Sequence, residues 1–232
     1  MLYYGFDMYY VILVLPAMLF AMWAQFNVQS TFKKYTRVAS ERGMTGKDAA
    51  RMILDRNGLR HIAIEQVAGN LTDHYDPKAG VIRLSASTYN VQSAAAVGVA
   101  AHEAGHAVQH ATGYGPIKLR QAIIPVTQLG SNLAIPLVLI GIVLNYFTLS
   151  YVGIALFGAV TFFQLVTLPV EFNASSRAIE ALDASGTLSG DGLAASRKVL
   201  RAAALTYVAA LFVSLANLLR LVMIVSGRDR RD

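Results

Sequence analysis

Cysteine is absent from the 232 residues of this chain, and charged residues are scarce. Without cysteine, the chain can form neither a disulfide framework nor a thiolate metal site. Charged residues make up 15% of the sequence, whereas soluble domains carry about 25%. Hydrophobic residues make up 55% and the mean hydropathy is +0.45, which excludes both a water-soluble globule and a disordered chain. The net charge of +6 matters less than its distribution along the chain.

Long stretches of the sequence carry no charge at all. Residues 8–32 are free of charged side chains, and residues 121–170 contain no Asp, Glu, Lys, Arg or His. A last stretch, 202–225, is largely apolar around Asn217 and Arg220. A membrane-spanning helix needs about 20 apolar residues, so the central window accommodates two helices joined by a turn at the polar residues 145–150. We predict four transmembrane helices, near residues 6–26, 122–144, 150–169 and 203–226.

Positive charge indicates the orientation of these helices. The first apolar stretch follows Asp7 and precedes four basic residues, a distribution that argues against a secretory signal peptide. Positive charge accumulates on the cytoplasmic side of a membrane, which places residues 27–121 and 170–202 in the cytoplasm. The turn at 145–150 has no Lys or Arg, as expected outside. The basic tail does not fit this orientation, because four spans would place it outside. Either the other charges determine the orientation, or the last helix enters the membrane without crossing it. The basic residues after the first helix are Lys33, Lys34, Arg37 and Arg42, and those of the tail are Arg228, Arg230 and Arg231.

The same charges bear on binding partners. The basic residues between positions 33 and 42 are not accompanied by aromatic residues that could stack on bases. They are therefore expected to meet anionic lipid headgroups rather than nucleic acid. The sequence predicts a multi-pass protein of the cytoplasmic membrane, with the lipid bilayer as a partner and no nucleic acid. Nothing in it indicates the oligomeric state.

The first polar segment has the pattern of a small α+β domain. Thr45 and Asp48 form the signature of a capping box, and Gly58 suits the end of the helix that follows. Strand-like runs at 61–67, 71–75 and 81–84 are separated by turn residues at 76–80. Ser93 then opens a helix, rich in alanine and valine, that is expected to run to about Thr112.

This helix contains His102-Glu103-Ala104-Gly105-His106. Residues four apart lie about 40° apart on one helical face, so His102 and His106 can bind the same metal ion, for which zinc is the usual choice. Glu103 is rotated about 100° from His102 and is placed to accept a proton from water activated by the metal. The pattern predicts one zinc ion with Glu103 as general base. The small residues Ala104 and Gly105 allow another element to pack closely.

Catalytic zinc usually has a third protein ligand. His110 lies on the same face, but about 12 Å from His102 along the helix axis, which is too far to share an ion. It is therefore expected to be structural or to contact substrate. Glu171 is the first charge after the neutral window, where an unpaired carboxylate would be costly, and it is the favoured ligand. The alternatives on the same side of the membrane are Glu180, Asp183 and Asp191.

Four runs of the sequence together resemble the neutral zinc metallopeptidases of the YugP type: residues 73–77, 82–85, 99–109 and 168–172. More distantly, the chain is similar to the HtpX-type membrane proteases. The resemblance implies a zinc-dependent, membrane-embedded endopeptidase of mainly α fold, in which four transmembrane helices join a small α+β zincin-like (gluzincin) catalytic domain. It implies His102, His106 and Glu171 as metal ligands, Glu103 as general base, and protein or peptide substrates.

This interpretation divides the chain into five parts. They are a first transmembrane helix (1–30), a first catalytic segment (31–121), a transmembrane hairpin (122–169), a second catalytic segment (170–202), and a fourth transmembrane helix with its tail (203–232).

Several positions depart from the pattern of the family or have a role that the motifs leave open. Asn173 and Ser176 stand where the family is expected to have an acidic and a basic residue, and Ser175 stands where the distant relatives have an Asp that supports a zinc histidine. Ser175 and His110 are candidates for contacts behind the ligands. The candidates for contacting substrate or stabilising the transition state are His74, Tyr75 and Arg177.

The sequence is compatible with two other functions. One is a zinc-binding membrane scaffold or chaperone without proteolysis, which the presence of Glu103 disfavours because binding alone does not require it. The other is a protease that cleaves within the bilayer. The alanine- and valine-rich stretch before His102 is shorter than a membrane span, which disfavours this second reading.

Overall fold

A computed structural model describes residues 7–229 of the chain. This part is mostly helical, with six α-helices and a sheet of three short strands. A π-helical turn, Tyr10–Val14, leads into the first helix. The helices are α1 (Leu15–Tyr35), α2 (Gly46–Arg56), α3 (Ala94–Ala111), α4 (Gly115–Val143), α5 (Phe147–Ala184) and α6 (Gly190–Asp229), and the strands are β1 (Ala63–Val67), β2 (His74–Asp76) and β3 (Val81–Ser85).

Within residues 7–229, four helices are long and apolar enough to cross a membrane, which confirms the number expected from the sequence. These candidate spans are Tyr10–Tyr35, Gly115–Val143, Phe147–Ala184 and Gly190–Arg228. The expected turn between the second and third spans is present, with Asn145 in the left-handed region at φ 52°. Arg230 and Arg231, whose charges disagreed with the orientation, lie outside the described residues.

The last two spans are longer helices than the sequence predicted, and the helix end predicted at residue 169 is wrong. The third helix continues through Pro169 to Ala184, and the fourth begins at Gly190 rather than near residue 203. Pro169 removes one backbone donor, but in a long apolar helix that is packed against neighbours, proline is tolerated without ending it. Helix α4 contains two such residues, Pro125 and Pro136.

The chain divides into two compact units. The first comprises Met1–Ala24, Leu119–Leu168 and Thr206–Asp232, as far as they are described. Within it, α4 and α5 approach closely at glycines, since a Cβ on Gly130 would lie 2.6 Å from the Leu156 carbonyl oxygen, and one on Gly153 2.6 Å from that of Ala134. Small residues allow this kind of backbone contact between membrane helices. Between α5 and α6, the hydroxyls of Thr161 and Ser214 lie 2.8 Å apart.

An ion pair joins the two ends of this first unit. The guanidinium of Arg220 donates from Nε to Asp7 Oδ2 at 2.6 Å, and it also lies over the Tyr10 ring, 5.4 Å from its centroid. Arg220 therefore meets a carboxylate inside the unit. The contact places the residue before the first span beside the part of the fourth span that contains Arg220.

The second unit comprises Gln25–Lys118 and Pro169–Leu205. Its helix α2 begins at the predicted capping box, in which the Thr45 hydroxyl accepts from the Asp48 N–H and the Asp48 carboxylate accepts from the Thr45 N–H. Gly58 follows α2 in the left-handed region at φ 74°, as expected of its position. Ser93 caps α3 by accepting from the Ala96 N–H. These local signals define the start of both helices and the end of α2.

The sheet of the second unit has the order β1-β3-β2. β1 pairs with β3 in parallel, and β2 pairs with β3 in antiparallel fashion across the turn at 77–80. Arg83 in the central strand bridges its neighbours, contacting Asp76 at 2.9 Å and Glu65 at 3.4 Å. The apolar face of the sheet packs with α2, α3, α5 and α6 around a core that includes Leu54, Ile82, Leu84, Val97 and Leu182.

We expect the Asp7–Arg220 ion pair to stabilise the first unit. In Asp7→Asn the guanidinium loses its carboxylate partner, and the free energy of unfolding should fall by about 1 kcal/mol, the upper range for a partly exposed pair. The double variant Asp7→Leu/Arg220→Leu should recover much of this loss because it leaves no unpaired charge. Thermal unfolding in detergent measures the effect, with the exposed Asp183→Asn as control. Equal stability of Asp7→Asn and wild type would contradict the expectation.

Candidate metal centre

The centre is formed where α3 and α5 touch along their backbones. Gly105 lies between the two histidines of α3, and a Cβ on it would be 2.7 Å from the carbonyl oxygen and 3.3 Å from the Cα of Ala174. No residue larger than glycine fits at 105 without moving one helix. The sequence predicted close packing at this small residue, and the structure confirms it.

Three side chains converge at this contact. His102 Nε2 lies 3.2 Å from Glu171 Oε2, and His106 Nε2 lies 3.5 Å from the same oxygen. The two imidazole rings meet edge to face with centroids 4.6 Å apart. Among the described residues, this trio is the group of His, Asp and Glu side chains whose ligand atoms lie within 4.8 Å of one another. Glu171, 69 residues from His102, is only 2% exposed.

The arrangement fits a zinc ion in donor type and in spacing. Two imidazole nitrogens and one carboxylate oxygen form a donor set typical of catalytic zinc. Ligands bound at about 2.0–2.1 Å in a tetrahedron are about 3.3 Å apart, and the distances of 3.2 and 3.5 Å bracket this value. Glu171 Oε2 therefore lies at a tetrahedral ligand spacing from both imidazole nitrogens, and all three ligand atoms lie within 4.8 Å of one another.

Each histidine is held from behind through its other ring nitrogen. His102 Nδ1 lies 3.1 Å from the Ser175 hydroxyl, and His106 Nδ1 lies 3.0 Å from Gln109 Oε1. Histidines that bind metals usually have such a partner, which orients the ring and selects the nitrogen that faces the metal. Both Nε2 atoms therefore face Glu171.

Electrostatics at the site favour a cation. Burial lowers the pKa of His106, but the hydrogen bond to Glu171 and the negative charges of Glu103 and Glu171 outweigh it, so that the pKa of His106 is raised overall. The carboxylates that hold a proton here also attract a metal ion, and the two compete for the same nitrogen.

Glu103 is nearly buried, with 8% of its surface exposed. Its charge acts on His106, and no hydrogen bond to its carboxylate is formed by the residues between 7 and 229. A carboxylate of this kind, beside the candidate ligands but not among the three converging groups, is able to exchange a proton with a bound water or substrate.

Comparison with known proteins agrees with this geometry. Residues 10–226 match the family described as "Putative neutral zinc metallopeptidase". The chain belongs to this family. It is also 49% identical over 223 residues to the protein named "Putative membrane protease YugP" of Bacillus subtilis (strain 168), a match that covers 96% of this chain and 99% of the relative. No solved structure matches the chain. The resemblance inferred from the motifs is thereby confirmed.

In this member of the metallopeptidase family, two of the three residues that depart from the expected pattern still contact the site. Ser175 meets His102, and Asn173 Oδ1 accepts from Gln109 Nε2 at 3.0 Å and from Arg177 Nε at 2.8 Å. Ser176 is exposed. The histidines thus have partners despite the departures.

Gln109 was not identified from the sequence. It is fully buried and also donates to the Val170 carbonyl oxygen at 2.8 Å. The available signal was its spacing, since a residue three positions after His106 lies beside it on the helix surface. A polar amide in a run of alanine and valine was the second indication.

The remaining candidates lie on or beside the strand β2. His74 is exposed and donates from Nδ1 to the Thr72 carbonyl oxygen at 2.9 Å. Tyr75 lies on the other face of the strand, its ring 5.4 Å from that of His110, and burial followed by the charge of Asp76 raises the pKa of its phenol. Because neighbouring strand residues face opposite sides, His74 and Tyr75 do not act at the same place.

The alternatives for the third ligand are not part of the converging group. Glu180 and Asp183, further along α5, and Asp191 at the start of α6 are exposed. None of them belongs to the cluster of ligand atoms found among residues 7–229. Glu171 alone of the four acids lies against both histidines.

We expect Gly105→Ala to weaken zinc binding about 10- to 100-fold, in the range caused by changes behind metal ligands. The added methyl group would force α3 and α5 apart and so displace Glu171 from the two histidines. Titration with zinc against a chelator measures the change. Gly115→Ala is the control, because a Cβ there meets nothing within 4 Å. Unchanged affinity in Gly105→Ala would contradict this account of the helix contact.

Proposed function

We propose that the chain is a membrane-embedded, zinc-dependent endopeptidase. In this proposal one zinc ion is held by His102, His106 and Glu171, and Glu103 is the general base. The observation that supports it most directly is the convergence of the three ligand atoms next to a nearly buried, unengaged glutamate. Membership of the zinc metallopeptidase family and the name of the Bacillus relative support the same reaction.

The proposed reaction is hydrolysis of a peptide bond. A bound zinc ion supplies a Lewis acid that polarises the scissile carbonyl and lowers the pKa of a water molecule. Glu103 accepts a proton from the attacking water as its oxygen bonds to the carbonyl carbon. The same carboxyl group then gives this proton to the amide nitrogen as the carbon–nitrogen bond breaks. Glu103 ends the cycle ionised, as it began.

We place this chemistry in a zincin-like (gluzincin) catalytic unit. The second unit contains the helix with the two histidines, the glutamate from a later helix and a small sheet, as such a unit requires. In the sheet, β2 has an outer edge that pairs with no other described strand. A peptide can add to a free edge of this kind, and we assign His74, which is exposed there, to substrate contact.

We assign Tyr75, His110 and Arg177 to supporting roles. Tyr75 and His110 pack on each other beside the sheet, and Arg177 is engaged through Nε with Asn173. These contacts favour positioning over direct action on the substrate, which the sequence had left open for Tyr75 and Arg177.

Membrane or membrane-proximal proteins are the proposed substrates. The four apolar helices favour a membrane location, and the basic residues in the last turn of the first helix and after it favour a cytoplasmic position of the catalytic segments. All of the proposed catalytic and metal-binding residues belong to the unit that contains the sheet, not to the unit built of apolar helices alone. This division favours cleavage outside the bilayer over cleavage within it.

We expect Glu103→Gln to bind zinc like wild type and to lose activity. Glutamine is nearly isosteric but accepts no proton, so casein cleavage by protein purified in detergent should fall by about 10²- to 10⁴-fold. Glu180→Gln, the same change at an exposed position, should keep full activity. A Glu103→Gln variant that remains active would rule out the mechanism. It would also reopen the scaffold interpretation if wild type were equally inactive.

We expect Glu171→Ala to release zinc. Loss of a ligand should weaken binding by about 100-fold or more, beyond the range of changes behind the ligands. Metal content after dialysis, determined by atomic emission, measures the effect. Glu180→Ala is the matched control on the same helix. Full zinc content in Glu171→Ala would move the third ligand to another acid.

A further inference from the structure

A chain of hydrogen bonds runs from Arg177 through Asn173 and Gln109 to His106. Two groups of fixed role, the donor Arg177 Nε and the acceptor Val170 O, determine which atom donates in each bond. Arg177 Nε can only donate, so the atom of Asn173 that it meets at 2.8 Å must be the carbonyl oxygen Oδ1. The Val170 carbonyl oxygen can only accept, and it lies 2.8 Å from the amide of Gln109. Two acceptors, Val170 O and Asn173 Oδ1, therefore face the same end of Gln109, and that end must be its NH2 group.

The orientation of Gln109 determines the state of His106. With its NH2 group committed, Gln109 presents only the oxygen Oε1 to His106 Nδ1, 3.0 Å away. Nδ1 must then carry a hydrogen, and the neutral imidazole keeps its lone pair on Nε2. Nε2 is the nitrogen that faces Glu171 Oε2 at 3.5 Å.

We propose that Gln109 is a positioning residue that fixes the metal-binding tautomer of His106 and joins the two halves of the site. This inference rests on the proposed zinc ligation. Gln109 is fully buried and ties the helix of both histidines to Val170, the residue before the third ligand. Asn173 and Arg177 act through Gln109, and the four side chains form one relay: Arg177, Asn173, Gln109 and His106.

Among the residues that the structure describes, His102 has no comparable chain of hydrogen bonds behind it. His102 Nδ1 meets the Ser175 hydroxyl at 3.1 Å, and a hydroxyl can either donate or accept. The environment therefore selects one tautomer of His106 and leaves that of His102 free to follow the metal. This difference provides an internal reference for a test.

The test uses zinc binding and the state of the ring rather than proteolysis. We expect Gln109→Met to weaken zinc binding about 10- to 100-fold by chelator competition, with the exposed Gln92→Met as control. The chain has five histidines, so selective ¹⁵N-histidine labelling resolves the rings by NMR. In zinc-loaded wild type, the Nδ1–H of His106 should give a hydrogen-bonded signal protected from exchange. In Gln109→Met this signal should be lost, while the ring signals of His102 persist.

A second pair of variants keeps the test open if Gln109→Met does not fold. Asn173→Leu removes one anchor of Gln109 and should weaken zinc binding several-fold, with broadening of the His106 Nδ1–H signal. Asn173→Asp keeps an acceptor for both Gln109 and Arg177 and should bind zinc at least as well as wild type. A His106 signal and a zinc affinity unchanged in both Gln109→Met and Asn173→Leu would overturn the inference. Wild type that binds no zinc would instead overturn the proposed function.

Discussion

The site depends on one close contact between two helices. Gly105 of α3 lies against the backbone of Ala174 in α5 so tightly that a Cβ would be 2.7 Å from the carbonyl oxygen. Only at this separation can a carboxylate from α5 reach two imidazoles of α3 at 3.2 and 3.5 Å. The hydrogen bond from Gln109 to Val170 reinforces the contact one turn further along α3. Side chains that are 69 residues apart in sequence thus become neighbours.

The contact between α3 and α5 also buries the carboxylate of Glu171. An ionised carboxylate that is 2% exposed is costly unless positive charge lies beside it. In this protein two histidines lie beside the carboxylate, and the negative charge there raises the pKa of His106. The helix packing that buries the carboxylate therefore also creates the demand for a cation. A change that loosens the packing of α3 on α5 is therefore expected to weaken the affinity for a cation as well.

The sequence predicted the parts of the structure that depend on neighbouring residues. The capping box at Thr45 and the pairing of His102 with His106 need only the local chain, and the four spans need only long apolar runs. The extent of α5 was missed, because proline usually ends a helix and only packing allows Pro169 to lie inside one. Gln109 and the Asp7–Arg220 pair were missed because they depend on residues 61 and 213 positions away. Glu171 was predicted from the cost of an unpaired charge in an apolar setting, and the structure places it beside both histidines.

The departures at positions 173 and 175 show how the surroundings of the two histidines differ. An acidic residue at 175 would accept a hydrogen from His102 and so fix its tautomer, whereas the hydroxyl of Ser175 leaves it unfixed. At position 173 an amide supplies the acceptor that an acid would supply, because the hydrogen bond from Arg177 orients the oxygen of Asn173, which also accepts from Gln109. The hydrogen bonds whose direction is fixed are therefore those behind His106, where Gln109 joins α3 to α5. His102, whose hydroxyl partner can donate or accept, is the more adaptable of the two candidate ligands.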